Sequence, residues 1–217
     1  MIEWSLDAFR ASASVRSIVV AVPPGHAHGL DCAADLAVVA GGATRAHSVA
    51  NALAAVETEL VAIHDAARPL LTPELVEELV ARLEANPEAA AAIPAIPVTD
   101  TVKEAADGPS EGTRSAFAGA EAGNALLAVG RTLDRSRLWA AQTPQVFRAD
   151  ALRAALEVEP ERRDAATDEA MLVEAAGGTV LIHPTPGENL KVTTPLDLRV
   201  AEMLLAARAS EAGSVLE

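Results

Sequence analysis

The residues of this chain that could do chemistry sit in short polar clusters, most of them just after an apolar run. Leu60-Val61-Ala62-Ile63 leads into His64-Asp65-Ala66-Ala67-Arg68-Pro69, a carboxylate and a guanidinium on a turn stiffened by proline. Pro97-Val98-Thr99-Asp100-Thr101-Val102-Lys103 adds hydroxyls, an acid and a lysine after a second run, and Asn189-Leu190-Lys191-Val192-Thr193 adds another lysine. Gly41-Gly42 precedes a helix whose free N–H groups suit anions or base edges, and two glycines let a backbone come close to a ligand. Of seventeen basic residues only Lys103 and Lys191 are lysines, which gives each more weight, because a compact ammonium and a planar guanidinium bind differently. Plain structural readings stand beside these. Asp65 and Arg68 can equally tie down a loop, Gly41-Gly42 can be a tight turn with Thr44 as N-cap, and Thr167 can simply cap the helix after it.

The elements that must position these clusters alternate between strand and helix. The pattern predicts a helix over 3–12, strands at 17–22 and 35–40, a helix from Thr44 to Val56, and a strand, buried on both faces, ending at His64-Asp65. Thr72-Pro73-Glu74 opens a helix to about Ala85, followed by a strand over 89–95. Residues 105–133 lose periodicity and read as an inserted arm or loop. Helices over 149–157 and after Thr167-Asp168-Glu169, a strand over 179–183, and a closing helix from Thr194-Pro195 to Arg208 complete a single domain over 1–217. Alternation of this kind predicts an α/β fold with a mostly parallel sheet and helices on both faces. In open sheets of that type ligands bind beyond the carboxyl ends of the strands, where the polar clusters lie.

Composition sets outer limits. Half of the 217 residues are hydrophobic, enough for a sizeable core, and with three Phe, two Trp and no Tyr that core must be aliphatic. A net charge of −14 argues against affinity for nucleic acid or anionic membranes, yet leaves room for a small phosphorylated substrate. The single Cys32 excludes a disulfide within the chain; no secretory signal or spanning segment is legible, and the reading is cytoplasmic. His26 and His28 have no further ligands nearby, so a metal site is not expected there.

Taken together, Gly41-Gly42-x-x-Arg45-x-x-Ser48-Val49, His64-Asp65-Ala66-Ala67-Arg68-Pro69, Asp100-Thr101-x-Lys103, Asp134-Arg135-x-x-Leu138-Trp139, Thr143-Pro144-Gln145, Thr167-Asp168-Glu169 and Asn189-x-Lys191-Val192-Thr193 resemble the 2-C-methyl-D-erythritol 4-phosphate cytidylyltransferase family. Seven motifs in one order, across nearly the whole chain, make the resemblance specific. It implies a Rossmann-like nucleotidyltransferase sheet with a projecting arm. It also implies transfer of a cytidylyl group from CTP, carried with Mg2+, to the sugar-alcohol phosphate of non-mevalonate isoprenoid biosynthesis. By the same resemblance Gly41, Gly42 and Ser48 belong to the cytidine pocket, and Asp65, with Arg68 beside it, meets sugar-alcohol or ribose hydroxyls. Thr101, Thr143 and Thr167 give hydroxyl contacts, Arg135 and Lys191 hold the phosphate for attack, and the arm over 105–133 makes a homodimer.

Two departures mark the chain. Ala43 stands where the family usually has an acid. The family also begins with an apolar strand and a Gly-rich loop that wraps the triphosphate, whereas Ile2-Glu3-Trp4-Ser5-Leu6 resembles the helix that follows that loop. The expectation is that the natural protein begins upstream of Met1. Without that strand, a slot is expected between two inner strands, and the chain as written is expected to transfer little cytidylyl group. Alternative readings are a catalytically impaired dimeric relative that binds sugar phosphate, and another sugar-phosphate nucleotidyltransferase.

Overall fold

Helix α1 (Ile2–Ala11) turns Ser5, Leu6, Ala8 and Phe9 inward, whereas Trp4, which an apolar stripe would bury, is 51% exposed. The computed structural model describes residues 1–26, 36–106 and 127–214, of which 211–214 by backbone alone. His28 and Cys32, and positions 107–126 of the expected arm, lie outside the described residues. Two compact units result, one of residues 1–95 and 141–217, the other of 96–140.

In the larger unit β1 (Ile18–Val22) pairs in parallel with β2 (Leu36–Ala40), Ile18 opposite Leu36 and Val22 opposite Ala40. Helix α2 (Arg45–Leu53) starts on Thr44, whose hydroxyl accepts the His47 N–H at 3.3 Å. It is shorter than its pattern predicts, because Ala55 and Val56 close back on Ala52 and Leu53 in three-residue turns rather than continuing the helix. Next come β3 (Leu60–Ile63), α3 (Pro73–Glu84) with the expected Thr72 cap and first-turn proline, and β4 (Ala89–Pro97).

The smaller unit holds an antiparallel ribbon of β5 (Lys103–Ala105) and β6 (Val129–Thr132), and the short strand β7 (Trp139–Ala141) reaches its end. Arg131 grips Glu104 with two nitrogens at 3.0 and 2.8 Å, and Lys103 donates to Thr132 at 2.7 Å. Back in the larger unit follow β8 (Gln145–Arg148), α4 (Ala149–Leu156), α5 (Pro160–Ala165), α6 (Glu169–Ala175), β9 (Thr179–Pro184) and α7 (Pro195–Ser214). Asp168, not Thr167, caps α6, accepting the Met171 N–H at 2.9 Å. Among the described residues no helix is long and apolar enough to cross a membrane.

The expectation of a mostly parallel sheet needs correction. β8 runs antiparallel to β3 on one side and to β4 on the other, while β4 and β9 are parallel. The reason is local: the chain enters β8 from the loop after β7 without a crossover helix, so nothing turns it parallel to its neighbours. Four residues with only Val146 and Phe147 apolar give no strand pattern to read, yet both are fully buried. Alternation sends Phe147, Ala91 and Ile93 into a core with α2, α4 and α6, and Val146 and Ala92 into a core with α3, which Ala89 joins across a register shift between Ala89 and Ala91. Helices thus cover both faces. Each fully buried Val or Phe contributes about 1.5–3 kcal/mol.

β1 and β3 behave differently. Every residue of both strands is only half-buried, whereas Ala91, Ala92 and Phe147 are inaccessible. Among the described residues β1 pairs with β2 alone and β3 with β8 alone. A cavity of about 1050 Å3 separates them, lined by both strands and roofed by Phe9, Val49, Leu53, Val76 and Val80. The half-burial of β3 corrects the reading of Leu60–Ile63 as buried on both faces.

Candidate active site

The turn after β3 is built before it can bind anything. The Arg68 N–H closes on the Asp65 carbonyl at 2.9 Å, and the Asp65 N–H donates to the Thr143 hydroxyl at 3.0 Å. Arg68, nine-tenths buried, donates from Nη1 to the Asn189 carbonyl at 2.8 Å. Asn189 Nδ2 donates to the Thr143 carbonyl at 2.7 Å, and the Val192 N–H to the Ala67 carbonyl at 2.8 Å. Three loops, 64–68, 142–145 and 189–192, are thereby stitched into one platform. Most buried polar atoms of that platform have partners, as burial demands; Arg68 Nε, Gln145 Oε1 and Asn189 Oδ1 have none among the described residues.

On this platform Asp65 is held between two cations. Its Oδ1 lies 3.2 Å from Arg45 Nε and its Oδ2 2.9 Å from Lys191 Nζ. Burial favours the neutral carboxyl, but the hydrogen bond from Lys191 and the charge of Arg45 outweigh it, and Asp65 is held below the usual carboxylate range. Arg45 also reaches Glu169 Oε2 at 2.5 Å. Burial pushes the Glu169 carboxyl up and Arg45 only partly offsets this, since that side chain is 1% exposed. Gln145 Nε2 donates to Asp168 Oδ2 at 2.8 Å, drawing the start of α6 into the same group.

A polar cavity of about 270 Å3 opens here, and Asp65, Arg68, Thr143, Thr167 and Lys191 all line it, with Arg45, Gln145 and Asp168. Five of the residues singled out from sequence are therefore together. Gly41, Gly42 and Ser48 stand at the start of α2. The Ser48 hydroxyl accepts the Gly42 N–H and donates to the Thr44 carbonyl, both at 3.0 Å. Ser48 lines the larger cavity, whose polar end reaches Arg45, Asp65 and Lys191. Arg135 and Thr101 belong to the smaller unit, where Arg135 donates from Nη1 to the Thr99 carbonyl.

Asp65 and Arg68 do not form the mutual side-chain pair that the plain structural reading would give; the carboxylate takes Arg45 and Lys191, and the guanidinium takes a carbonyl. Arg45, Glu169 and Gln145 were not singled out as site residues. Arg45 did leave a signal, being a cation in the first turn of a helix, where the macrodipole disfavours one without a carboxylate partner. Glu169 left none, because an acid in a first turn explains itself.

The sequence model of a family described as IspD, 2-C-methyl-D-erythritol 4-phosphate cytidylyltransferase, matches residues 1–207. A 2-C-methyl-D-erythritol 4-phosphate cytidylyltransferase of Frankia casuarinae is 42% identical over 212 residues, covering 95% of this chain and 70% of that protein. A bifunctional IspD/IspF enzyme of Anaeromyxobacter dehalogenans is 43% identical over 199 residues; the chain spans about half of that relative's length, 47%, and 89% of its own. The crystal structure of the cytidylyltransferase from Thermus thermophilus superposes with a TM-score of 0.72 at 35% identity, covering 94% of this chain and 87% of that one.

Proposed function

The chain belongs to the 2-C-methyl-D-erythritol 4-phosphate cytidylyltransferase family, transferases of isoprenoid biosynthesis, and we propose that the Asp65 platform is where it holds the sugar-alcohol phosphate for reaction with CTP. The reaction balances simply. A phosphate oxygen of methylerythritol phosphate attacks the α-phosphorus of CTP; that P–O bond forms as the α–β bond breaks, and pyrophosphate leaves. An ionised phosphate needs no general base, so positioning and charge stabilisation are the tasks left to the protein.

The residues suit those tasks. Lys191 brings a point charge to the cavity, and Asp65, kept ionised by two cations, accepts from sugar-alcohol or ribose hydroxyls. By resemblance to the family, Arg135 is assigned to the phosphate and Thr101 and Thr167 to hydroxyl contacts, and Gly41, Gly42 and Ser48 to the cytidine. The arm over 105–133 makes the homodimer, and the family reading carries a cytoplasmic location. Magnesium enters with the CTP phosphates as part of the substrate. Both oxygens of Asp65 are already in ion pairs, and among the described residues no three His, Cys, Asp or Glu stand ready to hold a metal.

The observation that carries this reading is the convergence of Asp65, Thr143, Thr167 and Lys191, from four distant segments, on one polar cavity. Calorimetric titration with methylerythritol phosphate, and separately with CTP–magnesium, tests it. Binding of the first that is selective over erythrose and ribose phosphates is expected. Equal affinity for all of them, or none for methylerythritol phosphate, would overturn it.

A further inference from the structure

His64 lies one residue before Asp65 and lines the larger cavity rather than the polar one, and its ring meets Phe9 of α1 edge to face at 5.5 Å. Its nitrogens have definite partners. Nε2 lies 3.2 Å from the Arg68 carbonyl and 3.3 Å from Ser5 Oγ; Nδ1 lies 3.0 Å from Thr143 Oγ1. A carbonyl can only accept, so Nε2 must carry the proton. In the neutral ring Nδ1 is then bare and takes the Thr143 hydroxyl proton. Burial keeps the ring neutral, pushing its pKa down to about 4.

The Thr143 oxygen is committed as well. It accepts the Asp65 N–H at 3.0 Å while its proton points to His64. The hydroxyl therefore has no proton left for a ligand, although the side chain lines the cavity. We infer that His64 is a positioning residue for the transfer reaction, fixing the Thr143 hydroxyl so that Thr143 anchors the backbone of Asp65 rather than donating to substrate. Because Asn189 is bonded to the Thr143 carbonyl and Arg68 to the Asn189 carbonyl, the same contact sets the height of the Lys191 loop over Asp65.

This inference rests on the proposed function for its effect on binding, but its hydrogen-bond order can be read without substrate. Long-range 1H–15N spectra of the whole chain at pH 7 should show His64 neutral with its proton on Nε2; a proton on Nδ1, or a charged ring, would overturn it. In calorimetry Thr143→Val is expected to weaken methylerythritol phosphate about tenfold, the loss of one buried hydrogen bond with its partner left unpaired. Thr143→Ser, which keeps the hydroxyl, should recover most of that loss. His64→Phe, shaped to pack beside Phe9, should match Thr143→Val, and the double variant should lose no more than either alone. His64→Asn, with an acceptor near the Nδ1 position, should fall between. Wild-type binding with Thr143→Val within twofold, or full additivity in the double variant, overturns the inference and leaves the functional reading standing. Absence of wild-type binding refutes the functional reading instead. If His64→Phe does not fold, the valine and serine variants at 143 still decide.

Discussion

Lys191 Nζ stands 2.9 Å from Asp65 Oδ2, so a lysine from the last fifth of the chain neutralises an aspartate from its first third at the mouth of a polar cavity. Arg45 balances the other oxygen. An arriving phosphate can take Lys191 while Arg45 keeps Asp65 ionised.

Lys191→Ala is expected to weaken methylerythritol phosphate binding by roughly 1.5–3 kcal/mol, the value of a charge-assisted hydrogen bond. Arg135→Ala should act in the same direction. Calorimetry on the two variants checks this, and unchanged affinity in both would remove these residues from the phosphate site.

Glu169→Ala removes the buried partner of Arg45. Breaking a fully buried pair costs about 3–5 kcal/mol; Arg45 is 37% exposed, so the expected loss is lower, about 1–3 kcal/mol. Urea denaturation should show a shifted midpoint with an unchanged slope.

Acid should weaken the fold through His64. Its folded pKa, about 4, lies below the ordinary 6.5, so the unfolded chain binds the extra proton between those values. Stability is fully present above pH 6.5, falls as pH drops toward 4, and the ring contributes on the order of 3 kcal/mol to that fall. His64→Phe should flatten this part of the stability profile, and a profile identical to wild type would falsify the assignment.

Gly42→Ala should be costly where Gly187→Ala is not. A Cβ on Gly42 would lie 2.2 Å from His47 Cβ, the root of a helical side chain that cannot swing aside, while one on Gly187 meets nothing within 4 Å. Overpacking of this kind costs about 1–3 kcal/mol. Thermal unfolding of the pair, and CTP affinity of the first, are the measurements.

Much of this was legible in the sequence where the pattern was long or chemically marked. Helix starts at Thr44, Thr72 and Thr194 follow from caps and prolines, and the platform loops stood out because charge followed an apolar run. β8 was not legible, since four residues with two apolar side chains carry no period, and with it went the antiparallel order of the sheet. Thr167 looked like a cap because hydroxyls and carboxylates cap equally well, and only the backbone decides in favour of Asp168. His64 looked like one more polar residue in a motif, because a ring facing α1 depends on packing between segments far apart in sequence.

Among the described residues, the cavity between β1 and β3 leaves the larger unit with two separately hydrogen-bonded leaves. One leaf carries the Gly41-Gly42 turn, tied to it by the Gly41 N–H on the Val22 carbonyl at 2.7 Å; the other carries Asp65 at the end of β3. Each leaf can open without unpairing the other, so amide exchange should sort β1 and β2 into one protection class and β3, β8 and β4 into a slower one. The two reactants of a transfer between nucleotide and sugar-alcohol phosphate would ride on different leaves. On the proposed assignment of those sites, how well they align is then a property of the gap itself.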